Sequence, residues 1–175
     1  MLSQIENGRA QPSVATLYSL VSALAMSLDE LLTGSPPVAG RIDSPVVTPD
    51  HRATLLMESG VTWERLTPGP DSLVDALLVT YPPGSSSSSG GGLMSHSGRE
   101  YGFLLTGRLT LHLGFEKFVI EAGSSISFDS AMPHSYVNDS PTEARGIWHV
   151  VGRNKSSLEP QSTTAAPTQP DWLTR

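Results

Sequence analysis

The chain has 175 residues, a formal net charge of −6, 38% hydrophobic and 16% charged residues, a size that fits one ordinary domain with a small appendage. Its acidic balance is the reverse of the basic stripe that a free-standing nucleic-acid binder carries. Cysteine is absent, which excludes disulfides and thiolate metal sites. No apolar run approaches the roughly 20 residues of a membrane span and no basic-then-apolar leader opens the chain, so no membrane partner is expected and the cytoplasm is the expected location.

Taken in chain order, Leu2 and Ile5 are three apart and suit the inner side of a short first helix that Gly8 ends. Val14, Leu17, Leu20, Val21 and Leu24 then recur at helical spacing over residues 13–25, and Pro12 suits the first turn of that helix. Ser27 and Glu30 form a capping box for a second short helix ending near Leu32. Residues 34–45 are rich in Pro, Gly and Ser and read as a linker.

Nine short β-like runs follow, at 54–57, 61–66, 76–81, 101–105, 109–113, 115–120, 126–128, 135–137 and 144–151. Turn residues separate them at close spacing, which predicts an all-β sandwich or barrel. The serine run Ser85–Ser89 with Gly90–Gly92 has neither the strand-helix setting nor the lysine of a phosphate loop; a mobile lip over the barrel mouth is expected. From about Lys155 the chain is poor in large apolar residues and rich in Ser, Thr, Pro and Gln. That composition predicts disorder, with Trp172 and Leu173 as docking residues. The division expected is 1–33 helical, 34–45 linker, 46–153 β domain and 154–175 tail.

The opening stretch LSQIENGRAQPSVATLYSLVSALAMSLDELL, with its I-E-N-G followed by a Pro-Ser-capped helix, resembles the second half of a phage-repressor-like (Cro-like) helix-turn-helix domain. The resemblance implies that Ser3, Gln4 and Asn7 face base edges or phosphates, with Gln4 a reader of adenine. Arg9 and the helix start at Ser13 would then touch the DNA backbone. The alternative for Ser3 and Gln4 is a frayed terminus. In that family an earlier helix pair positions the reading helix, so the chain is expected to be N-terminally truncated and impaired in operator binding. Within residues 1–41 the only cations are Arg9 and Arg41, against Glu6, Asp29 and Glu30; much of any phosphate attraction must come from elsewhere.

Two further motifs stand at His96–Gly107 (HSGREYGFLLTG) and Gly123–Asn138 (GSSISFDSAMPHSYVN). His96 and Glu100 are four apart, so both can point to one face of an extended segment. His134 on a partner strand completes a two-His, one-carboxylate set that suits iron(II) or a related divalent metal. The motifs resemble the two signatures of the cupin family: His96, Glu100 and Gly107 fit the first, and Gly123, Pro133, His134 and Asn138 the second. The resemblance implies a mainly β chain, a double-stranded β-helix (jelly roll) with a central pocket, preceded by the short all-α helix-turn-helix segment. Met94 stands where the family usually has its first His, and a thioether is a poor ligand for such metals.

The expected pocket is Met94, His96, Glu100, His134 and Tyr136, in which the two histidines hydrogen-bond and orient an organic ligand, with a divalent metal (Fe, Mn, Ni or Zn) on His96, Glu100 and His134 as the second reading. His51, His112 and His149 have no partner at ligand spacing and are expected at the surface or on ordinary strand positions. Trp63, Tyr101, Phe103, Phe128, Tyr136 and Trp148 are expected mostly in the barrel core or on a dimer surface, with one or two lining the pocket, since binding sites favour aromatic walls. No serine sits in a nucleophile elbow. Together the two resemblances imply a DNA-binding transcriptional regulator, a homodimer on operator DNA, whose barrel senses a small-molecule effector; they imply no catalytic residues. A metal-dependent cupin enzyme of dioxygenase or isomerase type is the competing reading.

Overall fold

In a computed structural model of the chain, residues 4, 5, 7, 9, 11–24, 44–68, 74–88 and 91–152 are described. Ser3, the Ser27–Glu30 capping box, residues 34–43 of the expected linker and the tail beyond Gly152 lie outside them.

Gln4 and Ile5 are helical, and helix α1 runs over Val14–Ala23. Ser13 caps it: the Thr16 amide donates to Ser13 Oγ at 3.2 Å, and the two hydroxyls are 2.9 Å apart. A serine side chain accepting from the third helical residue is the preferred way to start a helix. Pro12 therefore precedes the cap instead of filling the first turn. Val14, Leu17 and Val21 are buried, whereas Leu24 is 61% exposed. The seam is thus the i, i+3, i+7 set alone, and Leu24, beyond the last helical residue, falls outside the inward stripe expected of it. Ten residues are too few for a helix to persist alone in water; this one is held by burial of that seam.

Nine strands make up the rest: β1 (Thr54–Leu56), β2 (Thr62–Arg65), β3 (Val74–Tyr81), β4 (Arg99–Thr106), β5 (Arg108–Leu113), β6 (Glu116–Glu121), β7 (Ser125–Asp129), β8 (His134–Val137) and β9 (Ala144–Val151). All nine expected runs are strands. They form a six-stranded antiparallel sheet, in the order β1-β2-β3-β9-β4-β7, and a three-stranded one, β6-β5-β8. Side chains of both sheets meet in one apolar core that also takes Val14, Leu17 and Val21 of α1. This is the jelly-roll arrangement, with two sheets closed around a shared interior.

The strand alternation is visible on β4, where Glu100, Gly102 and Leu104 are buried while Tyr101, Phe103 and Leu105 are each close to half exposed. A register shift between Leu104 and Thr106 interrupts the ladder to β9 and ends the alternation at Leu105.

The serine run is not a mobile lip over its described part. Ser85, Ser87 and Ser88 are buried, Ser87 N donates to Tyr136 O at 2.9 Å, and Tyr136 N donates to Ser87 Oγ at 2.9 Å. With the Ser86–Val137 bridge, this stretch pairs along the free side of β8. Small hydroxyl residues do here what β-branched ones do elsewhere, and that is why the apolar pattern did not reveal it. Asn138 closes the turn after β8. It is fully buried, and its Nδ2 donates to Tyr81 O and Thr142 O, both at 2.8 Å, while Oδ1 accepts from Ser140.

Candidate functional site

Glu100 comes from the inward face of β4, and Tyr136 and His134 from β8. His96 lies before β4, separated from it by a bend through Ser97 and Gly98, with Gly98 at φ +102°. Strand parity is therefore not what brings His96 to Glu100. A left-handed turn does it, in a conformation that favours glycine. His96 N donates to Ser130 O at 3.0 Å and its Nδ1 lies 3.1 Å from Ser97 O, which fixes the ring.

The three side chains converge. His96 Nε2 is 3.0 Å and His134 Nε2 3.1 Å from the same Glu100 Oε1, with side-chain exposures of 1%, 0% and 3% for His96, His134 and Glu100. The other carboxylate oxygen accepts from the Tyr136 hydroxyl at 2.6 Å, and Trp148 Nε1 donates to that hydroxyl at 3.1 Å. This relay holds the carboxylate so that Oε1 faces the imidazoles. Burial pushes the Glu100 pKa up; a hydrogen or positive charge held between Oε1 and the His134 and His96 imidazoles, together with the Tyr136 hydroxyl, more than reverses this and lowers it to about 2. The Tyr136 hydroxyl is pushed well above its ordinary value, by burial first and then by the Glu100 charge; it stays a donor.

An accounting of protons tests whether the triad suits a metal ion. His134 Nδ1 lies 2.7 Å from Met132 O, and His96 Nδ1 faces Ser97 O. Carbonyls only accept, so both Nδ1 atoms must carry the hydrogen. In the neutral rings both Nε2 atoms are then lone-pair acceptors aimed at a carboxylate oxygen. His134 Nε2 is indeed buried without a hydrogen-bond partner despite its proximity to Oε1. Three acceptors at one point require a proton or a cation between them, and a backbone carbonyl on the far nitrogen is how metal-binding histidines are usually oriented. Separations near 3 Å are also what ligands about 2.1 Å from one ion at right angles show. His96, Glu100 and His134 are the group among the described residues able to hold a metal ion, and they fit one.

Met94 supplies no fourth nitrogen. Its backbone exchanges two 2.8 Å hydrogen bonds with His134, and it lines a cavity of about 20 Å³ with Val14, Trp63, Glu100, Tyr136 and Trp148 among the other walls. Such a space takes about one water-sized occupant. The sequence does not single out Trp148 among the aromatics of core, dimer surface or pocket wall. The site role of this residue depends on two glycines: a Cβ at Gly146 would lie 2.4 Å from Trp148 Cζ3, and one at Gly102 3.0 Å from Trp148 Cε2. The Gly102–Trp148 register across β4 and β9 is the signal that would have found it, and register is not readable from one strand alone.

At the helical end, Gln4, Asn7 and Arg9 are exposed. Ser13 is 3% exposed, with its hydroxyl committed to the cap of α1.

A family model for the cupin domain matches residues 77–150, and one for the helix-turn-helix matches residues 1–31. The chain is 29% identical over 141 residues to the HTH-type transcriptional regulator PuuR of Escherichia coli, covering 79% of this chain and 72% of that one. Its fold resembles a helix-turn-helix family transcriptional regulator from Vibrio cholerae, with a TM-score of 0.60 and 22% identity over 86% of this chain and 78% of that one. It also resembles an RmlC-like cupin from Shewanella frigidimarina, with a TM-score of 0.54 and 15% identity over 66% of this chain and 97% of that chain. The protein is a transcriptional regulator carrying a helix-turn-helix and a cupin domain.

Proposed function

We propose that this regulator binds operator DNA through its helical end and senses a small ligand in the barrel, with the His96–Glu100–His134 triad as the receiving centre and a divalent cation as its first occupant. The carrying observation is the convergence of three buried acceptor atoms on one point, with His134 Nε2 lacking a hydrogen-bond partner. Two imidazoles and one carboxylate suit Fe(II), Mn(II), Ni(II) or Zn(II). The cavity beside Glu100 is too small for an organic substrate as it stands, which favours a sensor over a dioxygenase or isomerase.

Gln4, Asn7 and Arg9 are the DNA-facing residues of this reading, supported by their exposure. Ser13 acts indirectly, by capping α1. The functional units are the helical segment to about residue 33, a linker, and the barrel from about residue 46 to 153. Two chains act together, as two-fold operators require; the row of Tyr101, Phe103 and Leu105 on the outer face of the six-stranded sheet supports pairing there. No described helix is long and apolar enough to cross a membrane, and a regulator of this kind works in the cytoplasm.

The test is fluorescence anisotropy of the full chain on DNA from upstream of its own gene, with and without saturating Mn(II) or Ni(II). Allosteric coupling of ordinary size changes the affinity by about 5- to 150-fold, and His134→Ala should abolish that difference. Equal affinities for the metal-free and loaded chains would overturn the sensing role.

A further inference from the structure

The small cavity on the Glu100 side of the triad takes one wall from outside the barrel, from helix α1. Val14 of α1 is 1% exposed and lines the same cavity of about 20 Å³ as Glu100, Met94 and Tyr136. Leu17 and Val21, one and two turns further, sit in the barrel's core. Glu58 N donates to Pro12 O at 3.1 Å at the point where the helix meets the barrel. Trp63, Tyr136 and Trp148, by contrast, stand on strands laddered to neighbours. The triad side chains are at most 3% exposed, so an occupant reaches them only past a part that moves. A single short helix resting on three apolar side chains moves at less cost than a strand with a ladder to break.

We propose that α1 is the lid of the triad: an occupant enters when the helix lifts Val14 out of the cavity, and Val14 sets the size of what the helix can close over. The proposal rests on the triad as a cation site. An ion lets the lid reseat, whereas an occupant larger than the one-water space keeps Val14 out and α1 unseated. A ligand shifts an equilibrium only by binding one arrangement better than the other, and here the two arrangements differ in the helix that follows the DNA-reading segment. Occupancy and the setting of that segment then share one element. The competing route is an apolar groove along β6 and β7 that Phe128 helps to line, whose ring centre lies 5.0 Å from that of His134.

Stopped-flow uptake of Co(II), followed by its visible absorption, separates the routes in the full chain. Val14→Ala should take up and release cobalt about tenfold faster, as expected when buried methyl groups that hold a lid are removed. Leu17→Ala, which lies outside the cavity, should also accelerate uptake, so the effect is not one of cavity volume. Phe118→Trp, which narrows the competing groove, should leave the rate unchanged. Parent-like rates in both helix variants, or slowed uptake in Phe118→Trp, would overturn the lid. No cobalt absorption in any chain would overturn the cation reading and the lid with it, whereas normal binding at unchanged rates removes the lid alone.

Discussion

The two ends of the barrel interior differ in kind. Around Glu100 the interior is mostly apolar, polar at one point, and leaves only about 20 Å³ of space. Between β6 and β7 a groove of about 410 Å³ opens to solvent, lined by Leu111, Leu113, Phe118, Val119 and Ile126 with serine hydroxyls at the rim. The larger space is the ordinary size of a small-molecule pocket, yet it carries no converging polar groups. The smaller one has every feature of a chemical centre except room. Volume alone would have pointed away from the triad; the decisive signal is the buried His134 Nε2, without a hydrogen-bond partner beside the Glu100 carboxylate, since an uncompensated buried polar atom costs about 1–3 kcal/mol.

Substitutions break that contrast to different degrees. Glu100→Gln removes the carboxylate charge of the triad and turns an acceptor pair into an amide. Cation affinity should fall by more than about 100-fold, beyond the 10–100-fold typical of outer-shell changes, in a calorimetric titration with Ni(II). Gly146→Ala attacks the relay from behind. Its new methyl meets Trp148 Cζ3 at 2.4 Å and Phe103 O at 2.7 Å, an overpacking that should cost about 1–3 kcal/mol in urea unfolding. Tyr136→Phe keeps the ring and loses the hydrogen bond to Glu100 Oε2, so the carboxylate is no longer held. Nickel affinity should drop by about tenfold by the same titration, with little change in far-UV dichroism. Val119→Thr, 60% exposed in the open groove, should alter stability by no more than about 0.5 kcal/mol and cation affinity not at all. A large effect of Val119→Thr on binding would mean that the two ends are not separate.

Much of this was legible in the chain. All nine strands follow from alternation and turn residues, because each strand has one face in the core. The triad residues were legible from the spacing of two motifs, although the route was misjudged for His96: a glycine turn, not strand parity, swings it toward Glu100. What was hidden depends on partners distant in sequence. The Ser85–Ser88 stretch pairs with β8, more than forty residues on, and without an apolar pattern it read as loose. Trp148 reaches Tyr136 only because two glycines on neighbouring strands make room for its indole. Leu24 read as core because helical periodicity does not say where the helix stops. The role of Ser13 shows the opposite case, where a polar residue beside a DNA-reading helix is used to start the next one.

Anomalous diffraction from crystals grown with Ni(II) tests the cation claim most directly. The account predicts one peak per chain, within bonding distance of His96 Nε2, Glu100 Oε1 and His134 Nε2, and its loss in His134→Ala. A folded protein with no peak at the triad, or with its peak elsewhere on the barrel, would contradict it.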